Sequence, residues 1–134
     1  MVWGRPTVSL TVLHVDDEPD IREVAAFSLE LDPDIALTAA GSGAAALDLL
    51  QGGFRPDVIL LDVMMPRLDG PDTLARLRAL PELEATPVIF MTARVQAGER
   101  DRYLNLGAIG VITKPFDPMT LASQVRALLA GGRG

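Results

Sequence analysis

The chain of 134 residues contains no cysteine. That excludes disulfide staples, zinc–thiolate centres and thiol nucleophiles, and it suits an intracellular compartment. No stretch approaches the roughly 20 consecutive apolar residues of a membrane-spanning helix. Positive charge is scarce: 12 basic against 18 acidic side chains leave a net charge of −6. No basic stripe could track a phosphate backbone, so direct contact with nucleic acid is not expected. An acidic surface suits protein partners instead. Lysine occurs once, at Lys114, among eleven arginines. A lone lysine points to a place where a compact ammonium is needed and a planar guanidinium is not equivalent. Histidine also occurs once. His14 falls inside a strand-like run, where a packed ring is a better reading than a phosphorylated one.

The length suits one domain with a core of its own, expected over about residues 8–130. The opening MVWGRPTVSLTVLHVDD is not read as a signal peptide. Polar residues interrupt it, it runs into Asp16-Asp17, and no small-residue cleavage site follows. Short apolar runs at Val8–Val15, Ile35–Ala39, Val58–Leu61, Val88–Met91 and Ile109–Thr113 read as strands. Amphipathic stretches at Asp20–Leu31, Ser42–Leu50, Pro71–Leu80, Gly98–Leu106 and Asp117–Leu129 read as helices, the last opening on an Asp cap. The Gly-Gly-Arg-Gly tail is expected to fray. Five β–α units with nearly continuous apolar strands predict an α/β fold, a parallel sheet covered by helices on both faces.

The polar motifs each follow a strand. Asp16-Asp17 follow the first, Asp62 the third, Thr92 the fourth and Lys114 the fifth. Ligands of open α/β sheets bind at that carboxyl edge, where the strand order reverses. In a 2-1-3-4-5 order the reversal lies between the strands that deliver Asp17 and Asp62. Two like charges about 4 Å apart cost roughly 4 kcal/mol at an effective dielectric near 20. Raised carboxylate pKa values or a bound divalent cation would offset that repulsion. Oxygen ligands without His or Cys favour Mg²⁺, with Mn²⁺ able to stand in. An Asp beside Mg²⁺ and a lysine is arranged to attack phosphorus and form an aspartyl phosphate. Thr92 could donate a hydrogen bond to an oxygen of the phosphoryl group, and Ala93 leaves room for it.

VDDEPD at 15–20, LLDVMMPRLDG at 60–70, MTA at 91–93 and TKPF at 113–116, spaced 45, 30 and 22 residues apart from Asp17 to Lys114, resemble the receiver domain of bacterial two-component response regulators. The resemblance covers about residues 8–130. It implies a flavodoxin-like (βα)5 sandwich with strand order 2-1-3-4-5 and a cytoplasmic signalling switch. Asp62 would take a phosphoryl group from the phosphohistidine of a sensor histidine kinase or a phosphotransfer protein. Asp17, Asp62 and the Met64 carbonyl would bind Mg²⁺, with Asp16 acting through a water. Lys114 would bridge to Asp62, ahead of a cis bond to Pro115. Pro66 and Asp69-Gly70 would shape the loop after the phosphorylated strand. Met64 and Arg94 would flank the phosphoryl group and tune its lifetime. At the position where the family often carries an aromatic switch, this chain has Val111, which puts the usual output face in question. The resemblance further implies a monomer or weak dimer that acts through protein contacts, without membrane attachment.

Other readings fit less well. A phosphatase of the dehalogenase type needs an Asp two residues beyond its nucleophile, where this chain has Met64. A flavin-binding protein wants a Ser/Thr/Gly-rich phosphate loop after strand one, where this chain has Asp-Asp-Glu-Pro. A phosphate shuttle in a relay and a phosphorylation-independent interaction module stand as alternatives. The chain would catalyse only its own phosphorylation and dephosphorylation.

Overall fold

The computed structural model describes residues 10–93 and 95–131. The start of the first strand at Val8–Ser9, Arg94 and the last three residues of the tail lie outside that range. Five strands, β1 (Leu10–Val15), β2 (Ile35–Ala40), β3 (Val58–Asp62), β4 (Val88–Thr92) and β5 (Gly110–Thr113), alternate with helices α1 (Pro19–Glu30), α2 (Gly43–Gln51), α3 (Gly70–Arg78), α4 (Glu99–Asn105) and α5 (Leu121–Gly131). All neighbouring strands pair in parallel, in the order β2-β1-β3-β4-β5. This is the flavodoxin-like sandwich expected from the sequence.

The alternating period of a strand divides the core in two. Leu13 and Val15 of β1, Ile59 and Leu61 of β3 and Val88 and Phe90 of β4 pack with Ala46, Leu50, Leu74, Leu77 and Tyr103. Val12, Val58, Leu60, Ile89 and Met91 point to the other face and meet Ala25, Leu29, Leu121 and Val125. β1, β3 and β4 are therefore buried on both sides, which is why they read as nearly unbroken apolar runs, while the edge strand β2 is half-exposed.

The helix starts explain the entry angles. Ser42 accepts a hydrogen bond from the Ala45 N–H, 3.0 Å, and Asp69 from the Asp72 N–H, 2.9 Å, so both act as N-caps. Pro19 opens α1 at a position where a missing N–H costs nothing. Two expectations change. Asp117 does not cap α5. It accepts from the Met119 N–H in a local turn, and the helix opens only at Leu121. A short 3₁₀ turn at Pro81–Leu83 follows α3; the Arg78 guanidinium ties it down by donating to the Leu83 and Thr86 carbonyls at 2.8 Å.

Arg67 has φ 66°, the only positive φ among the described non-glycine residues. The Leu68 N–H donates to the Pro66 carbonyl at 2.8 Å across it, closing a three-residue turn of the rare, strained hand. Replacing the exposed Arg67 by glycine removes a Cβ from a conformation that disfavours it by 1–2 kcal/mol, less the extra entropy of glycine in the unfolded chain. Arg67→Gly should therefore raise stability by about 1 kcal/mol in urea unfolding. A loss of that size would mean that the side chain carries contacts that outweigh the strain.

Candidate functional site

The carboxyl ends of β1 and β3 lie side by side, with Val15 opposite Leu61. The next residue on each strand line is an aspartate. Asp16 is fully buried and Asp62 is 2% exposed. Asp17 is half-buried beside them. One carboxylate oxygen from each of Asp16, Asp17 and Asp62 lies within 4.8 Å of the others. From β4 come Thr92, buried, and Ala93, exposed. Just beyond β5, Lys114 is anchored by its own backbone, whose N–H donates to the Thr92 carbonyl at 2.8 Å.

That anchor places the ammonium among the acids. Lys114 Nζ donates to Asp62 Oδ1 at 3.0 Å and to Asp16 Oδ2 at 3.2 Å, and lies 3.6 Å from Glu18 Oε1. Asp16 is held from other sides as well. Its Oδ1 accepts from the Glu18 N–H at 2.9 Å, and its main-chain carbonyl accepts from Arg22 Nη1 at 2.7 Å. An open cavity of about 290 Å³ is lined by Asp17, Glu18, Asp62, Met64, Ala93 and Lys114. A second, of about 400 Å³, continues past Thr92 and Ala93 to Tyr103 and Glu99.

The electrostatics follow from burial. Loss of water pushes the Asp62 carboxyl up to about 6; the hydrogen bond from Lys114 opposes that rise, and the charges of Asp16 and Asp17 add to it. Burial alone would lower the Lys114 pKa, but the hydrogen bond and charge of Asp62, with the charge of Asp16, outweigh it and hold the ammonium above its ordinary range. Three clustered carboxylates thus face one ammonium. The donor set is all oxygen and hard, and it remains net negative with Lys114 in place. It fits a divalent cation such as Mg²⁺.

The structure brings Asp16, Asp17, Asp62 and Lys114 together as expected. Thr92 ends the neighbouring strand and Ala93 follows it. Met64 is 77% exposed at the cavity mouth. The Lys114–Pro115 bond is cis. Val111 is half-buried and packs on the core opposite Phe90, away from the acids. Sequence reasoning missed Glu18 as a third partner of Lys114 and Arg22 as the prop under Asp16. Glu18 stands just before α1 and Arg22 lies one turn into it, and neither has a signal in the sequence beyond its charge. Nor did it settle Tyr103, which is buried with its ring 5.1 Å from that of Phe90. His14 is buried as read, and desolvation lowers its pKa to about 4.

The family model of the response regulator receiver domain matches residues 12–126. The chain is 38% identical over 121 residues to the response regulator Rre1 of Synechocystis, covering 90% of this chain and 52% of Rre1. It is 37% identical over 117 residues to an uncharacterised 14.6 kDa protein of Leptolyngbya boryana, covering 87% of this chain and 88% of that one. Among solved structures, the chemotaxis response regulator CheY4 of Vibrio cholerae superposes with a TM-score of 0.81 at 30% identity, over 89% of this chain and 98% of CheY4. The chain belongs to the response regulator receiver domain family. It spans about half the length of Rre1 and of several other curated relatives it matches, among them the regulator CseB of Streptomyces coelicolor. A receiver domain is not a conventional enzyme, and it implies a histidine kinase as partner. No described helix is long and apolar enough to cross a membrane.

Proposed function

We propose that Asp62 is a phosphoacceptor, loaded from the phosphohistidine of a sensor kinase or phosphotransfer protein. The observation that carries this is the Lys114 ammonium, held at 3.0 Å from one oxygen of a buried Asp62 while two further carboxylates flank the same cavity. An Asp62 oxygen attacks phosphorus in line. The new P–O bond forms as the P–N bond breaks, and the imidazole leaves with the electron pair. Lys114 follows the charge from the Asp62 carboxylate to the phosphoryl oxygens, and the Thr92 hydroxyl donates to one of them. Asp17, Asp62 and the Met64 carbonyl would hold Mg²⁺, with Asp16 behind a water, and Mn²⁺ would serve in its place. When bound, the cation offsets the carboxylate repulsion and neutralises the phosphoryl oxygens. Ala93 leaves the approach open, and Pro115, Val111 and the loop after β4 carry the change to a surface. Residues 1–134 act in this reading as one receiver unit, in the cytoplasm, whose output is contact with another protein.

Intact mass after incubation with a small acyl phosphate tests it. One phosphoryl group should be gained by the wild type with Mg²⁺, and none without Mg²⁺ or in Asp62→Asn. A beryllofluoride adduct guards against rapid hydrolysis. No phosphoryl gain together with no adduct would overturn the reading.

A further inference from the structure

His14 is the residue whose side-chain nitrogens, among the described residues, are both buried without a hydrogen-bond partner. A buried polar group left unpaired costs stability that an apolar residue of similar size would not. Its strand neighbours, Ala39 on β2 and Leu60 on β3, are apolar and offer it nothing. The ring points to the same face of β1 as Asp16, two residues on. His14 Nε2 lies 4.0 Å from Asp16 Oδ2, too far for a hydrogen bond, and both side chains are wholly excluded from solvent.

Asp16 Oδ2 is held at present by Lys114, which it shares with Asp62 Oδ1. That sharing is unstable against loading of the site. A divalent cation among the three carboxylates repels the ammonium, and a phosphoryl group on Asp62 moves the negative charge that attracts it outward. Either event would weaken the hold of Lys114 on Asp16. The oxygen it leaves has the site's water on one side and His14 Nε2 on its solvent-excluded side, about 1 Å beyond bonding distance.

We propose that His14 is a positioning residue for the acidic site: its Nε2–H donates to Asp16 Oδ2 when Lys114 moves away, fixing the carboxylate in its cation-holding orientation. A donor behind a carboxylate fixes its direction and is worth about tenfold in metal affinity. The inference deepens the proposed function, because it rests on the three-carboxylate site taking Mg²⁺.

The test compares wild type, His14→Leu and His14→Gln by Mg²⁺ calorimetry and by urea unfolding without divalent ions, with ring ¹⁵N spectra of the Mg²⁺-loaded wild type. The Leu variant should unfold at higher urea, since it removes the unpaired nitrogens, yet bind Mg²⁺ about tenfold more weakly. A merely structural role would not move the two in opposite directions. The Gln variant, whose amide nitrogen reaches the Nε2 position, should bind within about threefold of wild type. The loaded ring should carry its proton on Nε2. Wild-type affinity in His14→Leu, equal weakening in both variants, or a proton on Nδ1 would overturn the proposal while leaving the phosphoacceptor reading intact. If the wild type itself does not bind Mg²⁺, matching Asp17→Asn, both fall.

Discussion

Gly70→Ala should destabilise the fold by about 3 kcal/mol and displace Asp62 as it does so. Gly70 is the first residue of α3, and its N–H donates to the Val63 carbonyl at 2.9 Å. A Cβ built there would sit 2.5 Å from the Asp62 carbonyl oxygen, 2.9 Å from Val63 Cα and 3.2 Å from the Asp62 carbonyl carbon. All three are main-chain atoms at the end of β3, where Asp62 sits. No side chain can rotate away, so α3 or the end of β3 must shift. Overpacking of this kind usually costs 1–3 kcal/mol, and backbone contacts stand at the high end. Gly110→Ala is the contrast. Its Cβ would press on the Leu128 side chain, with Cδ2 at 2.6 Å, Cδ1 at 2.9 Å and Cγ at 3.2 Å, and a half-buried side chain on a terminal helix can turn aside where a strand's main chain cannot, so its cost should be smaller. Urea unfolding of both variants, with phosphoryl uptake measured on the Gly70 variant, checks the difference. Equal costs would show that the α3 contact has slack.

Lys114→Met should make the cation-free protein about 3 kcal/mol less stable at pH 8, and most of that loss should disappear by pH 5. The substitution keeps the stem but removes the ammonium that bonds two buried carboxylates. Removing one partner of a buried ion pair typically costs 3–5 kcal/mol. The pH dependence has a definite sign. Asp62 titrates near 6 in the folded state against an ordinary 3.8. Between those values the folded chain holds more protons than the unfolded one, so stability falls as pH rises. Without Lys114 the folded value goes higher still and the fall steepens. Lowering the pH to 5 lets Asp62 take a proton, and the repulsion subsides. Mg²⁺ should also rescue the variant, and bind it more tightly than wild type, because no ammonium competes. Asp62→Asn placed in the same background should flatten the pH profile. A deficit of equal size at pH 5 and pH 8, unmoved by Mg²⁺, would mean that Lys114 supports the fold by packing alone.

These expectations rest on features of unequal legibility. The central strands were plain because a parallel sheet buries both their faces, so β3 and β4 read as apolar blocks bounded by polar residues. The site was plain because its parts sit at strand ends, and a parallel sheet gathers those ends on one edge. Helix starts were harder. Asp117 has the chemistry of a cap and the Pro118 that often follows one, but it closes a four-residue turn, and α5 begins only at Leu121. The 3₁₀ turn at Pro81–Leu83 was hidden because Pro81 signals an ending equally well. Arginine contacts to main-chain oxygens were hidden altogether. Nothing near Arg22 in sequence marks it as the donor to the Asp16 carbonyl, nor Arg78 as the donor to Thr86. An arginine on a helix has the same appearance whether it reaches back to a main-chain oxygen or outward to water.

Strand order also fixes when the site can close. β1 and β3 are neighbours in the sheet, so the three acids Asp16, Asp17 and Asp62 all come from the first half of the chain. The ammonium that reconciles them arrives with the outer strand, 52 residues after Asp62. On the ribosome the acids emerge first and the base last, since domains form from the amino end as synthesis proceeds. A nascent chain stopped short of residue 114 therefore lacks the one lysine that pairs with these carboxylates. The pairing that holds these acids in the finished fold is thus the last part of the site to be made.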